Sequence, residues 1–421
     1  KFYMWLTFLC SLGVLGFLKY FDFLLGNVNT VLGMAGIGPV NKPFSIGLPV
    51  GISFYTFQSL GYMVDVCRGD TKAERNILNY ALFVSFFPVI LSGPIERSGN
   101  LLRQIRELPE KALWNYGRVA GGLTLLLFGL FQKMVIADRI AILANQVFDN
   151  YHMYGTFGLT VGAIAYTIQI YCDFASYSMM AFGVAKVLDF GIIENFQTPY
   201  FSRSMREFWR RWHISLSSWF RDYLYIPLGG SHCGKWRRYF NLMVTFLASG
   251  LWHGASWSFV VWGGLHGLYQ IIGYELRGVK DRINEQLHTK TDCLSYKMGQ
   301  VLVTFGLTAF AWIFFRANSL GDAVGYIRRM FTRPDLWCLF NGELYNLGLD
   351  RVEMNVLFGS LLVLLLADLV RYFKKQQLDA FLAEQNLWFR WGVLLALIAA
   401  VAIFGIYGPG YDAQQFIYFQ F

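Results

Sequence analysis

The residue type best suited to proton transfer lies inside a run of apolar residues. Across residues 242–272, the only side chains that ionise near neutral pH are His253 and His266. An imidazole at bilayer depth is costly unless it is paired, hydrated or used, so an intramembrane histidine is a functional candidate by default. Histidine titrates close to neutral pH, which suits it to general acid–base catalysis. The sequence therefore predicts that His253 has a chemical role.

The neighbours of His253 are small and aromatic residues. Gly250 and Gly254 form a small-xxx-small pair that favours close helix packing in lipid. Trp252 adjoins the histidine, and Trp257, one helical turn beyond, is expected to line a narrow cavity with it. His266 is thirteen residues further along, on a different helical face, so we interpret it as structural.

A second histidine, His213, belongs to a segment, residues 205–225, whose periodicity predicts a helix. One face of this segment carries Phe208, Trp212, Leu216, Trp219 and Tyr223, and the other carries Arg206, Arg210, Ser217 and Arg221. A helix with tryptophan on one face and arginine on the other favours the plane of the membrane interface. Pro227 begins the sequence that ends the helix. A chemical role and a hydrogen bond to a carbonyl both stay open for His213.

Three polar residues share one face of another apolar run. Gln169, Asp173 and Tyr177 fall at positions i, i+4 and i+8. A buried carboxylate needs partners, so Asp173 indicates either an interhelical hydrogen bond or part of a site.

Composition places the chain in the membrane. It has 421 residues, of which 55% are hydrophobic, 18% aromatic and only 15% charged. Soluble domains carry about 25% charged residues. Apolar runs that approach or exceed the length of a membrane helix lie near 2–18, 44–66, 77–95, 117–137, 157–187, 239–256, 258–276, 298–315, 355–373 and 388–408. We expect an all-α, polytopic bundle of about ten or more transmembrane helices around a central cavity or tunnel.

The chain shows no internal repeat or linker, so 1–421 is expected to form a single integral-membrane domain, with 239–276 carrying the catalytic histidine. Proline and glycine interrupt the runs at 43–51 and 86–94, which favours re-entrant segments buried in protein over simple spans. The chain begins with Lys1 in place of methionine, and no small-residue cleavage site follows the first run. N-terminal helices are therefore expected to be missing.

Positive charge is concentrated in one segment. The net charge is +9, and residues 203–238 hold Arg203, Arg206, Arg210, Arg211, Arg221, Lys235, Arg237 and Arg238 against Glu207 and Asp222. Because basic loops stay cytoplasmic, 199–230 is expected to be an interfacial or re-entrant segment facing the cytosol and anionic lipids, with no role in nucleic-acid binding. The six cysteines have no metal-like spacing, and no metal site or bound cofactor is expected.

Two histidine motifs in this order and spacing are highly specific. Phe-Trp-Arg-Arg-Trp-His-Ile-Ser at 208–215, the stretch 219–230 and Leu-Trp-His-Gly-Ala at 251–255 resemble the membrane-bound O-acyltransferase family. They resemble most its bacterial branch that contains the alginate O-acetylation membrane subunit. Further matching stretches are 49–58, 93–97, 171–183 and 416–421. The family's Tyr-Ser-Asp-Met pattern reads Tyr-Ser-Met-Met at 177–180. The acidic residue of the pattern is thus replaced by Met179, and no catalytic role is assigned to this position.

The resemblance implies transfer of an acyl group, acetyl above all, from a cytosolic thioester such as acetyl-CoA to an extracellular or periplasmic polysaccharide. His253 corresponds to the family's essential histidine and His213 to its second. The basic segment 203–238 would bind the donor, and the candidate residues for this are Arg210, Arg211, Trp212 and Arg221. Further candidates that line the tunnel or site are Asp173, Tyr177, Trp252 and Trp257. The resemblance also implies a bacterial cell membrane and an extracellular or periplasmic acyltransferase partner with a serine nucleophile.

Other functions stay open at this point. Intramembrane histidine, aspartate and broken helices also occur in proton-coupled transporters, although the chain lacks their internal repeat. Transfer of D-alanyl groups to teichoic acid is a related activity in the same family. A non-catalytic scaffold of an export complex would leave His253 dispensable.

Overall fold

The computed structural model describes residues 2–42, 49, 51–90, 93–111 and 114–408. These residues form helices and loops without a β-strand, which confirms the predicted all-α class. The helices before the first long buried one are α1 (Phe2–Met34), α2 (Ile52–Arg68), α3 (Ile77–Val84), α4 (Phe87–Ile90), α5 (Ser98–Arg106), α6 (Tyr116–Leu130) and α7 (Asp138–Asp149).

The remaining helices include those that carry the histidines. They are α8 (Thr156–Val187), α9 (Met205–Arg211), α10 (Ile214–Phe220), α11 (Lys235–His253), α12 (Trp257–Gln286), α13 (Leu294–Arg316), α14 (Leu320–Thr332), α15 (Arg351–Lys374), α16 (Leu378–Ala383) and α17 (Leu387–Phe404). Two π-helical segments, Phe131–Ala137 and Arg221–Tyr225, continue α6 and α10.

Within the described ranges, five helices are long and apolar enough to cross a membrane. They are Leu6–Met34, Tyr116–Asp149, Leu294–Arg316, Arg351–Lys374 and Leu387–Phe404. The chain is thus a multi-pass helical protein, and a total of ten or more spans stays a prediction. The span from α6 to α7 is continuous because the π-helical segment joins the two helices.

Helix α8 is the centre of the bundle. It is buried along most of its length, as expected of a helix that is apolar on every side. Glycines bring α6 against it: a Cβ added to Gly122 would lie 2.6 Å from the carbonyl oxygen of Gly183, and the reverse distance is the same. The main apolar cluster of the protein is built around this helix.

Helices α11 and α12 cross at two glycines. A Cβ added to Gly250 would collide with the carbonyl oxygen of Phe259, and one added to Gly263 would collide with that of Phe246. The predicted close packing is confirmed, although Gly250 meets Gly263 of the next helix. Gly254 instead ends α11, and the chain reverses before α12 begins at Trp257.

The predicted interruption near 86–94 is confirmed. Helix α3 ends at Val84, α4 is a single turn, and the chain from Gly93 to Arg97 is irregular. Helices this short cannot cross a bilayer; Phe83, Phe86 and Val89 pack into the protein, while Phe87 is exposed. Residues 43–48, 50, 91–92 and the matching stretch 416–421 lie outside the described residues.

The prediction of one continuous helix over 205–225 is wrong. His213 adopts a left-handed backbone with φ 43°, which separates α9 from α10. The amphipathic pattern itself is correct, because Phe208, Trp212 and Leu216 are buried while Arg206 is exposed. The break escaped prediction because periodicity survives a single left-handed residue.

Candidate active site

His213 lies at the junction of three segments. Asn195 caps the start of α10 by accepting from the backbone N–H of Ile214 with its carbonyl oxygen at 3.0 Å. Its side-chain oxygen also accepts from the N–H of Ser215 at 3.2 Å. The hydroxyl of Ser215 in turn accepts from the N–H of Ile95 at 3.0 Å. These bonds replace the intrahelical partners missing at a helix start and fix the backbone of His213.

A buried carboxyl joins two of those segments. Glu96 accepts hydrogen bonds from the backbone N–H of Ile193 and from the side chain of Asn100, the latter at 2.8 Å. Burial, partly offset by these bonds, raises the pKa of Glu96 to about 7. The loops that support His213 are therefore tied by a group that titrates near neutral pH.

His253 is the last residue of α11, and α1 holds that end in place. The ammonium of Lys19 donates to the carbonyl oxygens of Trp252 at 2.7 Å and His253 at 3.2 Å. The hydroxyl of Tyr20 donates to the carbonyl of Leu251 at 2.7 Å. A cation at a helix C-terminus binds carbonyls that have no intrahelical partner and opposes the helix dipole.

The two predicted catalytic histidines come together. Their ring centroids are 6.4 Å apart, and the side chains are 0% and 5% exposed for His213 and His253 respectively. Trp252 lies 6.1 Å from the ring of His213 and 5.0 Å from that of His253. Trp262 and Phe315 approach His253 at 5.1 and 5.2 Å. The result is a pair of imidazoles in an aromatic enclosure, where a proton could be accepted away from bulk water.

His266 is held by Trp209, whose indole N–H donates to Nδ1 at 3.2 Å. This bond agrees with a structural position for the ring. His266 nevertheless contacts the same tryptophan as His253, because its ring lies 4.8 Å from that of Trp262. The two histidines thus share a neighbour although they belong to different helices, because the chain reverses after α11 and α12 packs back beside it.

Asp173 and Tyr177 belong to a separate polar cluster. The ammonium of Lys133, on the π-helical segment, binds Asp173 at 2.6 Å and Asp138 at 2.8 Å, and all three side chains are buried. It also lies 5.7 Å from the ring of Tyr177. The adjacent residue Phe174 instead contacts His213 at 4.6 Å, so α8 separates the ion cluster from the histidine pair.

Trp257 does not share the enclosure of His253. Its side chain is 54% exposed, and its indole N–H donates to Asn27 of α1 at 2.9 Å. The prediction assumed that the helix continues beyond His253, whereas α11 ends there.

The proposed donor-path residues separate into two environments. Trp212 is 2% exposed and stacks on Phe208 within the aromatic core. Arg210 and Arg221 are exposed, and Arg221 pairs with Asp222 at 2.7 Å. Arg211 pairs with Glu207 at 2.7 Å. The arginines therefore lie at a surface from which a donor could approach, while Trp212 packs inside.

Sequence reasoning missed two lysines that matter here. Lys133 interrupts an otherwise apolar run and Lys19 directly follows one, and an intramembrane charge is itself a signal of a functional or structural partner. Their partners lie in other helices, so the sequence pattern alone left them unassigned.

Spanning helices around a buried histidine pair define a multi-pass membrane protein with a candidate acid–base centre inside the bundle. Residues 44–316 match the sequence profile of MBOAT, the membrane-bound O-acyltransferase family. The chain belongs to that family. Both histidines fall within the matched region.

Curated relatives agree with this assignment. The chain is 38% identical over 325 residues to a Pseudomonas putida protein described as probable alginate O-acetylase AlgI, covering 77% of this chain and 64% of the relative. It is 33% identical to the peptidoglycan O-acetyltransferase of Helicobacter pylori, over 78% of this chain and 64% of the relative. The teichoic acid D-alanyltransferase of Bacillus subtilis is 29% identical over 55% of this chain and 60% of its own. The chain thus spans somewhat under two thirds of the length of these three relatives.

Proposed function

We propose that the protein is an O-acyltransferase that moves an acetyl group from a cytosolic thioester to a hydroxyl of an extracytoplasmic polysaccharide. The observation that carries the proposal is the buried pair His213 and His253 within a chain of the MBOAT family. The relatives described as alginate O-acetylases and a peptidoglycan O-acetyltransferase favour acetyl over D-alanyl as the transferred group.

The chemistry assigns distinct tasks to the site. The acceptor hydroxyl must lose a proton as it attacks the thioester carbonyl, and His253 takes that proton as general base. His213, whose ring centroid is 6.4 Å from that of His253, lines the donor path or shares the proton. The aromatic enclosure excludes water that would otherwise hydrolyse the thioester.

The direction of transfer is supported by charge. Helix α11 begins with Lys235, Arg237 and Arg238 and ends at His253, and α12 runs back to an end of mixed charge, with Arg277, Lys280 and Arg282 against Glu275, Asp281 and Glu285. Basic ends favour the cytoplasm. At 1.5 Å per residue, His253 lies about 27 Å along α11 from the basic end. The end of α11 contacts Lys19, near the middle of the span Leu6–Met34, so a group that enters among the arginines and reaches His253 would have moved into the interior of the membrane.

The test uses the purified protein with acetyl-CoA and a soluble hydroxyl acceptor. We expect thioester turnover that His253→Ala abolishes and that His152→Ala, a change at an exposed histidine on another loop, leaves unchanged. The melting temperature of His253→Ala should stay close to that of the wild type. Turnover retained in His253→Ala would refute the assignment of the base, and solute flux in vesicles without turnover would favour a transporter.

We further propose a partner on the outer side, a membrane-anchored or secreted acyltransferase with a serine nucleophile. The support is that the segments joining the described helices are short, leaving little protein to hold a polymer. Vesicles with acetyl-CoA inside and polymer outside test this. Efficient acetylation of the polymer by this protein alone would refute the need for a partner and favour direct transfer.

A further inference from the structure

Two buried N–H groups lie beside His253 without a hydrogen-bond acceptor in the part of the chain that the structure describes. They are Nε1 of Trp262 and Nε2 of His266, and both side chains are 0% exposed. The two rings are 4.8 Å apart, and the ring of Trp262 is 5.1 Å from that of His253. The two residues are four positions apart on α12 and so share one helical face.

The hydrogen bond from Trp209 determines which ring nitrogen of His266 carries the hydrogen. The indole N–H of Trp209 donates to Nδ1 of His266 at 3.2 Å. A nitrogen that accepts a hydrogen bond carries no hydrogen, so the ring is the neutral tautomer with its hydrogen on Nε2. Trp209 thereby fixes both the orientation of His266 and its character as a donor at Nε2.

Buried N–H groups without an acceptor are rare in protein interiors, because burial removes the water that would otherwise accept their hydrogen bond. Most buried polar groups are hydrogen-bonded, and the exceptions concentrate where a ligand or water supplies the missing partner. Here the surrounding groups are mainly aromatic carbon, including Phe315 at 5.2 Å and Trp312 at 5.5 Å from the ring of Trp262. Two donors next to a general base match the demand of acyl transfer, in which negative charge develops on a carbonyl oxygen.

We propose that the N–H groups of Trp262 and His266 form an oxyanion-binding pair for the carbonyl oxygen of the acyl donor, an inference that rests on the proposed acyl transfer. The acceptor hydroxyl oxygen bonds to the acyl carbon while its proton passes to His253. The carbonyl oxygen becomes an oxyanion bound by the two donors. When the C=O bond re-forms, the C–S bond breaks, and the departing thiolate takes the proton from His253.

The first arm of the experiment removes each donor in the purified full chain. We expect Trp262→Phe to lower kcat for acetyl-CoA by about 100-fold, with little change in KM, because the lost bond strengthens only in the transition state. His266→Phe should behave alike. His266→Gln should restore part of the rate, since an amide can accept from Trp209 and still donate. Trp219→Phe is the control, because it makes the same change in a buried tryptophan whose N–H already donates to the carbonyl oxygen of Phe57 at 2.9 Å.

The second arm separates oxyanion binding from packing. A dithioester analogue of the donor carries sulfur in place of the carbonyl oxygen and gains less from N–H donors. The ratio of thioester to dithioester turnover does not depend on the fraction of folded protein. We expect this ratio to fall in Trp262→Phe and His266→Phe and to stay at the wild-type value in Trp219→Phe.

The outcomes are distinguishable. An unchanged ratio in both donor variants, or an equal fall in Trp219→Phe, overturns the donor pair while thioester turnover that depends on His253 keeps the proposed function intact. A wild-type protein that turns over no thioester overturns the proposed function, and the donor pair falls with it.

Discussion

Replacing Lys19 with methionine should slow acyl transfer by about 100-fold while the protein keeps a melting temperature near the wild type. Lys19 is near the middle of the span Leu6–Met34, and its ammonium binds the carbonyls of Trp252 and His253 at 2.7 and 3.2 Å. These bonds hold the last turn of α11, from which the imidazole of His253 projects. We infer that Lys19 is a positioning residue.

The expected change in stability is small because two effects oppose each other. Hydrogen bonds from a charged donor stabilise by about 1.5–3 kcal/mol each, and the longer of the two bonds contributes at the low end. Placing an ammonium at the centre of a membrane helix costs about 2.5–3.5 kcal/mol, which the methionine variant no longer incurs. The net change in the free energy of unfolding should therefore be within about 1 kcal/mol.

The expected change in rate is large because orientation is lost. A displacement of a reacting group by about 1 Å can cost about 100-fold in rate. The assay is thioester turnover by detergent-purified protein, with a melting curve on the same sample. Lys19→Arg keeps the cation and should recover part of the rate. Asp22→Asn, an exposed change less than one turn along α1, is the control. A wild-type kcat in Lys19→Met would refute the positioning role.

Three further predictions concern the scaffold. Gly263→Ala should destabilise the protein by about 1–3 kcal/mol and lower kcat, because the added methyl collides with α11, whereas Gly264→Ala, with its nearest contact at 3.7 Å, should melt normally. Burial raises the pKa of Glu96 from 4.5 to about 7, so the folded protein keeps a proton that the unfolded chain releases. Stability should therefore fall as pH rises through that window, and Glu96→Gln should flatten the dependence of melting temperature on pH. Lys133→Met should cost about 3–5 kcal/mol because it leaves two buried carboxylates without their cation, and adding Asp173→Asn should recover part of the loss.

Much of the helical scaffold could be predicted because hydropathy needs no tertiary information. Each apolar run found in the sequence corresponds to a helix or a broken helix, and the interruption at Pro88 and Gly93 was visible as well. The intramembrane setting of His253 beside Trp252 also followed from local pattern, and the family resemblance added His213 as a second candidate.

Features that depend on distant contacts could not be predicted. The break at His213 is set by Asn195, which caps α10 from another loop. The hydrogen bond that holds the carbonyl of His253 comes from Lys19, 234 positions away in the chain. Trp257 was misplaced because the pattern does not reveal that α11 ends at His253. In each case the structure depends on contacts that the periodicity of a short stretch of sequence does not reveal.

The left-handed backbone of His213 affects how related sequences should be compared. Few residues other than glycine adopt that conformation readily, and histidine, asparagine and aspartate are the ones enriched there. Selection on the turn alone would favour a narrow set of residues at this position, even in a relative that had lost its chemistry. His253 ends an ordinary helix, where many side chains would suit the backbone. A histidine inherited at 253 is therefore stronger evidence of retained activity than one inherited at 213.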